Sequence, residues 1–144
     1  MDKNQTLIIY CDGGARGNPG PAAYGFVITD EKGSKIYEEG KAIGVATNNI
    51  AEYSAVVAAL KHVFEHMSHV KGHLSNVQFF LDSQLVTEQL SGRWKIKNEN
   101  LRNLYFTIRE LEQKIGAKVS YQHVFREQNT EADRMVNLAL DGEI

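Results

Sequence analysis

The sequence predicts an α/β fold: a mixed five-stranded sheet, three antiparallel strands plus two parallel additions, with helices on both faces. Three observations lead there. The first third of the chain holds three runs of strand character joined by Gly- and Pro-rich turns, which is the signature of an antiparallel meander. A long stretch of helical period follows, so the fourth strand must return by a crossover and lie parallel to its partner. Helical segments then alternate with one more short apolar run, giving the order βββαβααβα.

The first strand is "TLIIYCDGG" (6–14), rich in β-branched and aromatic residues. The dense turn "GGARGNPGP" (13–21) closes it. "AAYGFVITD" (22–30) and "SKIYEEGKAIG" (34–44) flank the turn "EKG" and read as a hairpin. The period then changes in "TNNIAEYSAVVAALKHVFEHM" (47–67). Val56, Leu60, Val63, Met67 and Val70 recur at the spacing of one helix face, and Thr47, Asn48 or Asn49 can cap its start. "NVQFFLDS" (76–83) is apolar at alternate and intervening positions, as in a central strand covered on both faces. "SQLVTEQLSG" reads as a short helix and "NENLRNLYFTIRELEQKIG" as a longer one closed by Gly116. "AKVSYQHV" is the fifth strand, and "NTEADRMVNLALDG" a last helix closed by Gly142.

At 144 residues the chain suits one domain, 1–144, with one sizeable core. Its formal charge of −2 excludes a globally basic nucleic-acid binder, although a local patch or bound cations can still supply a positive field. No apolar run is long enough to span a bilayer, and "MDKNQ" lacks the pattern of a signal peptide. The single cysteine, Cys11, permits no intrachain disulfide and reads as a packing residue. The expected setting is the cytoplasm, and the expected state a monomer without membrane contact.

The chemistry lies in the acids. Asp12 and Asp82 each end an apolar run, where an isolated carboxylate is costly without a partner. Ligands on such sheets bind beyond the carboxyl ends of parallel strands. Glu52 and Asp133 fall in the opening turns of two helices. Singly, each has an ordinary explanation as a turn acid or as a complement to a helix dipole. Together, four carboxylates from four elements can converge, and they would repel without cations. An all-oxygen set suits hard ions such as Mg²⁺ or Mn²⁺. Two such ions about 4 Å apart can activate a water and stabilise a leaving oxygen in phosphoryl transfer.

Two other signals carry less. "GGARGNPG" lacks the Gly-Lys-Ser/Thr ending of a phosphate-binding loop and the spacing of a dinucleotide fingerprint. His62, His66, His69 and His73 recur along the long helix, but no Cys or acid completes a ligand set, so they read as a polar helix face.

The motifs "DGGARGNPGPAAYG", "TNNIAEYSAVVAAL", "LDSQLV", "GRWKIKN" and "REQNTEAD" together resemble type 1 ribonuclease H, from about Leu7 to Ala139. The resemblance implies the ribonuclease H-like fold and metal-dependent endonucleolytic hydrolysis of the RNA strand of RNA–DNA hybrids. It assigns Asp12, Glu52, Asp82 and Asp133 as catalytic metal ligands for two ions, Mg²⁺ or Mn²⁺. Products would carry 5′-phosphate and 3′-hydroxyl ends. It places Asn18, Asn49 and Gln84 against the minor groove, where amides reach 2′-hydroxyls and base edges; local turn and cap bonding is the competing role for such residues. It places Arg93, Trp94 and Lys95 near the phosphates of the DNA strand, against the alternative that Trp94 packs into the core. The chain departs from the family in two places. Many members carry a long basic, Trp-rich insertion where this chain has only "SGRWKIKNENL", which implies weaker and more salt-sensitive hybrid binding. Many also hold an accessory His before the last helix. Here that loop is the short "HVFREQNTEAD", leaving His123 or Glu127 to serve.

Overall fold

The computed structural model describes residues 5–67 and 74–144. Five strands and four helices follow in the expected order: β1 Gln5–Ala15, β2 Gly20–Thr29, β3 Lys35–Ala46, α1 Asn48–His66, β4 Leu74–Leu81, α2 Gln84–Leu90, α3 Glu99–Ile115, β5 Lys118–His123 and α4 Thr130–Leu140. A single 3₁₀ turn, Arg126–Gln128, precedes α4 and has no counterpart in the sequence reading. The sheet order is β3-β2-β1-β4-β5. β1–β2 and β2–β3 are antiparallel, while β4 is parallel to both β1 and β5.

Local chemistry explains the boundaries. In the β2–β3 turn the Asp30 carboxylate accepts from the Lys32 and Ser34 N–H groups, each at 2.9 Å. The Thr47 hydroxyl accepts from Ile50 N–H at 3.2 Å and so caps α1, satisfying a donor that the helix cannot pair internally. Gly116 ends α3 in the left-handed conformation at φ 77°.

α1 packs on β1 and β2, and α3 packs on α1. Val56, Leu60 and Val63 are fully buried there against Ile9, Phe26 and Phe79, while Met67 is partly buried at the cluster's edge. Val70, His69 and His73 lie outside the described residues. α4 packs on the opposite face, over β2, β3 and β1. The expectation that β4 is covered on both faces needs correction: Gln78 is exposed and Phe80 only half-buried. α4 sits over the antiparallel half of the sheet, and Phe80 gains its cover sideways, stacked on Tyr10 at 5.2 Å. Trp94, for which core packing was the alternative, is 46% exposed. Among the described residues no helix is long and apolar enough to cross a membrane.

Candidate active site

The sheet creates the site by ending one ladder before the other. Parallel pairing of β1 with β4 stops at Cys11–Leu81, whereas β1 continues against β2 as far as Ala15–Ala22. Asp12 therefore does not sit at the end of its strand. It is the first residue of β1 beyond the parallel ladder, and Asp82 is the residue that follows β4. Both acids flank the gap where the two strands part.

Glu52 reaches that gap because β1 and α1 approach closely at Gly13. A β-carbon built on Gly13 would lie 2.2 Å from the Ala51 carbonyl carbon and 2.4 Å from the Glu52 nitrogen. Only hydrogen fits there. On the other face Gly25 does the same for α4: a β-carbon would meet Ala132 O at 2.6 Å. That contact seats the first turn of α4, which carries Asp133.

Asp12, Glu52 and Asp82 each offer a carboxylate oxygen, and these lie within 4.8 Å of one another. Asp133 is exposed at the solvent side of this trio, close enough to Asp12 to raise its carboxyl. All four line one open cavity of about 410 Å³. Burial is the main reason that the Asp12 carboxyl is pushed up to about 8, with the Asp82 and Asp133 carboxylates adding to it. Glu52 is held well above the ordinary carboxylate range by burial first and by Asp12 and Asp82 next. Its Oε2 is buried with no hydrogen-bond partner. Three converging carboxylates with an orphaned oxygen form a hard, anionic donor set that fits Mg²⁺ or Mn²⁺. Cys11 beneath them is fully buried, and burial pushes its thiol up, so it is no nucleophile.

Asn129 was not singled out by the sequence. It occupies the N-cap position of α4 yet makes no side-chain cap bond. It is 1% exposed, and its Nδ2 donates to Cys11 O at 2.8 Å and to Asp82 Oδ2 at 3.1 Å. One amide thus ties the start of α4 to β1 and orients Asp82. An Asn before a helix reads as a cap, and nothing local reveals that it faces two strands. Arg126, from the unforeseen 3₁₀ turn, also lines the acid cavity, as does Arg16. His123 and Glu127 do not; His123 instead packs edge-on against Phe125.

The residues expected to meet nucleic acid separate into groups. Asn49 lines the acid cavity. Asn18 is exposed, and its Oδ1 accepts the Asn48 N–H at 2.9 Å, the local bonding that competes with contact. Gln84 is exposed at the first residue of α2, outside the cavity lining. Arg93 is paired with the Glu88 carboxylate through Nε at 3.0 Å, so its charge is largely committed. Trp94 and Lys95 are exposed beside it.

An acid cluster where parallel strands end, on a sheet of this order, defines the class of ribonuclease H-like domains. A family model described as reverse transcriptase-like matches residues 10–139. Ribonuclease HI of Halobacterium salinarum is 39% identical over 140 residues, covering 97% of this chain and 67% of that protein. The bifunctional protein Rv2228c of Mycobacterium tuberculosis is 43% identical over 136 residues, covering 94% of this chain and 35% of its own length. The chain therefore spans about a third of that mycobacterial relative. The crystal structure of LC11-RNase H1 in complex with an RNA/DNA hybrid superposes with a TM-score of 0.89 at 39% identity, covering 94% of this chain and 97% of that one. The chain belongs to the type 1 ribonuclease H family.

Proposed function

We propose that this protein is an endonuclease that hydrolyses the RNA strand of RNA–DNA hybrids, leaving 5′-phosphate and 3′-hydroxyl ends. Its working ligands would be Asp12, Glu52, Asp82 and Asp133, holding two Mg²⁺ or Mn²⁺ ions. The observation that carries this reading is the buried carboxylate trio with its orphaned Glu52 oxygen, flanked by Asp133. The hybrid-bound LC11-RNase H1, 39% identical, supports the substrate class. When bound, the metal supplies an activated water and charge stabilisation at the departing oxygen. The rest falls to the chain. Burial makes Asp12 and Glu52 hold their protons more tightly than ordinary carboxyls, and cation binding would favour their release. Asn129 holds one oxygen of Asp82 and leaves the other free for a cation. Asn49 faces the same cavity and can donate to a 2′-hydroxyl, the group that separates RNA from DNA. Trp94 and Lys95 offer an aromatic plane and a cation to the DNA strand. All four acids come from one chain, so a monomer suffices. A lone buried cysteine suits a reducing compartment, and the cytoplasm is the location we propose.

The test is an end-labelled RNA–DNA hybrid incubated with and without Mg²⁺ or Mn²⁺. Single-stranded RNA, double-stranded RNA and double-stranded DNA run in parallel, with Asp12→Asn as control. Metal-dependent internal cuts confined to the hybrid RNA, and lost in the variant, are expected. Cutting that survives in Asp12→Asn would refute the site.

A further inference from the structure

Resting on that reading of Trp94 and Lys95, we infer that Tyr53 and Gln89 form a buried tether that sets the nucleic-acid loop against the catalytic helix. Both are positioning residues for substrate. Tyr53 follows Glu52 directly on α1, and successive helical side chains point about 100° apart. While Glu52 enters the acid cavity, Tyr53 turns the other way and is fully buried. Its hydroxyl donates to Gln89 Oε1 at 2.6 Å, and Gln89, 5% exposed, passes the link on through Nε2 to Lys95 O at 3.3 Å. The bridge therefore runs from the residue beside a proposed metal ligand to the backbone of a proposed substrate residue.

Among the described residues the loop's other anchors lie elsewhere: Ile96 packs on the core, and Ser91 Oγ donates to Tyr121 O of β5 at 3.4 Å. Gly92 turns it with φ 81°. The Arg93 and Trp94 N–H groups both donate to Glu88 O, at 2.9 and 3.2 Å. Arg102 of α3 donates to Ile96 O at 3.1 Å. These bonds fix the loop to α2, α3 and β5, but none of them fixes it to α1. Within this hydrogen-bonded set the Tyr53–Gln89 contact alone does that. Gln89 borders a cavity of about 340 Å³ together with Trp94, Lys95, Arg102, Tyr105 and Phe106, a mixture of cations and aromatic planes suited to a nucleic-acid strand. Both polar ends of Gln89 are used within the protein, so the bridge accounts for a buried amide at the edge of that cavity. A grip held at a set distance from the acids pre-organises the loop and lowers the ordering cost of binding. It acts on affinity and not on the chemical step.

The chain's only tryptophan, Trp94, reports on this directly. Hybrid is titrated in EDTA while Trp94 fluorescence is followed, for the wild type, Tyr53→Phe and Gln89→Met. Each is held well below its own melting temperature, and kcat and KM are then measured with Mg²⁺. Tyr53→Phe keeps the ring and Gln89→Met the volume, so both are expected to fold. Hybrid should change Trp94 fluorescence in the wild type. Each variant should weaken hybrid binding about 3- to 10-fold, the worth of one hydrogen bond. KM should rise in step with the weakened binding while kcat stays within about 2-fold, and acrylamide should quench Trp94 more readily. Unchanged affinity in both variants, or a loss confined to kcat, would overturn the tether. A wild-type Trp94 that ignores bound hybrid would instead overturn the loop's assignment as a substrate contact.

Discussion

Gly13→Ala is the sharpest test of how the acids are brought together. The new β-carbon would sit 2.2 Å from Ala51 C and 2.4 Å from both Ala51 O and Glu52 N. Relaxed carbon contacts are about 3.5–4.0 Å, so β1 and α1 must separate by more than about 1 Å. Every atom in the clash is backbone, and no side chain can swing aside. Ordinary overpacking costs about 1–3 kcal/mol, and this case belongs at or above the upper end, a large share of a typical stability of about 5–15 kcal/mol. At this chain length about 3 kcal/mol lowers Tm by roughly 10 °C. The same separation moves Glu52 from Asp12, and a displacement of about 1 Å at a reacting centre can cost about 10²-fold in rate. Gly14→Ala is the matched control. A β-carbon there would meet only Asn48 Oδ1, at 3.8 Å, which is ordinary contact. Thermal melts and hybrid cleavage of the two variants should diverge sharply. Equal behaviour, or a Gly13→Ala protein with native Tm and native rate, would refute the claim that this close approach builds the site.

Two further outcomes follow from the electrostatics. The Asp12 carboxyl is raised from 3.8 to about 8 on folding, so the folded state holds its proton more tightly than the unfolded chain does. Its contribution to stability is full below 3.8 and is lost as pH rises towards 8; Glu52 acts in the same direction. Metal-free protein should thus lose stability as pH rises from 3.8 to about 8, Asp12→Asn should flatten that loss, and Mn²⁺ should restore it by linkage. Urea midpoints measured in EDTA across this range check the slope, and a flat wild-type profile would contradict it. Asn129→Ala removes the amide that orients Asp82 and joins α4 to β1. Calorimetric titration should show Mn²⁺ affinity reduced about 10-fold or more, as for other residues that orient metal ligands; unchanged affinity would show that Asp82 orients itself.

Much of this protein was legible from its residues. The hairpin turn, the Thr47 cap, the Gly116 stop and the Val56–Leu60–Val63 stripe are local signals, and each depends on a few neighbouring residues. The four acids were legible for a related reason: an acid that ends an apolar run is anomalous in one dimension. The sequence reading failed where partners are remote. "NVQFFLDS" promised cover on both faces, yet which half of the sheet α4 crosses depends on Gly25 and Gly40, which admit its backbone. Asn129 resembles a cap, but its partners stand 47 and 118 positions away.

By itself, then, the sequence determined the element order, the parallel crossover and the set of acids, because period, turn chemistry and cost of burial are local quantities. Only the tertiary structure decided that Asp12, Glu52 and Asp82 draw together while Asp133 stands outside them. It alone paired Arg93 with Glu88, turned Arg126 rather than His123 or Glu127 into the acid cavity, and joined Tyr53 to Gln89 across 36 positions. These outcomes depend on how closely backbones approach and on which buried polar group finds which partner. Such distances are set by the packed whole and by no single segment.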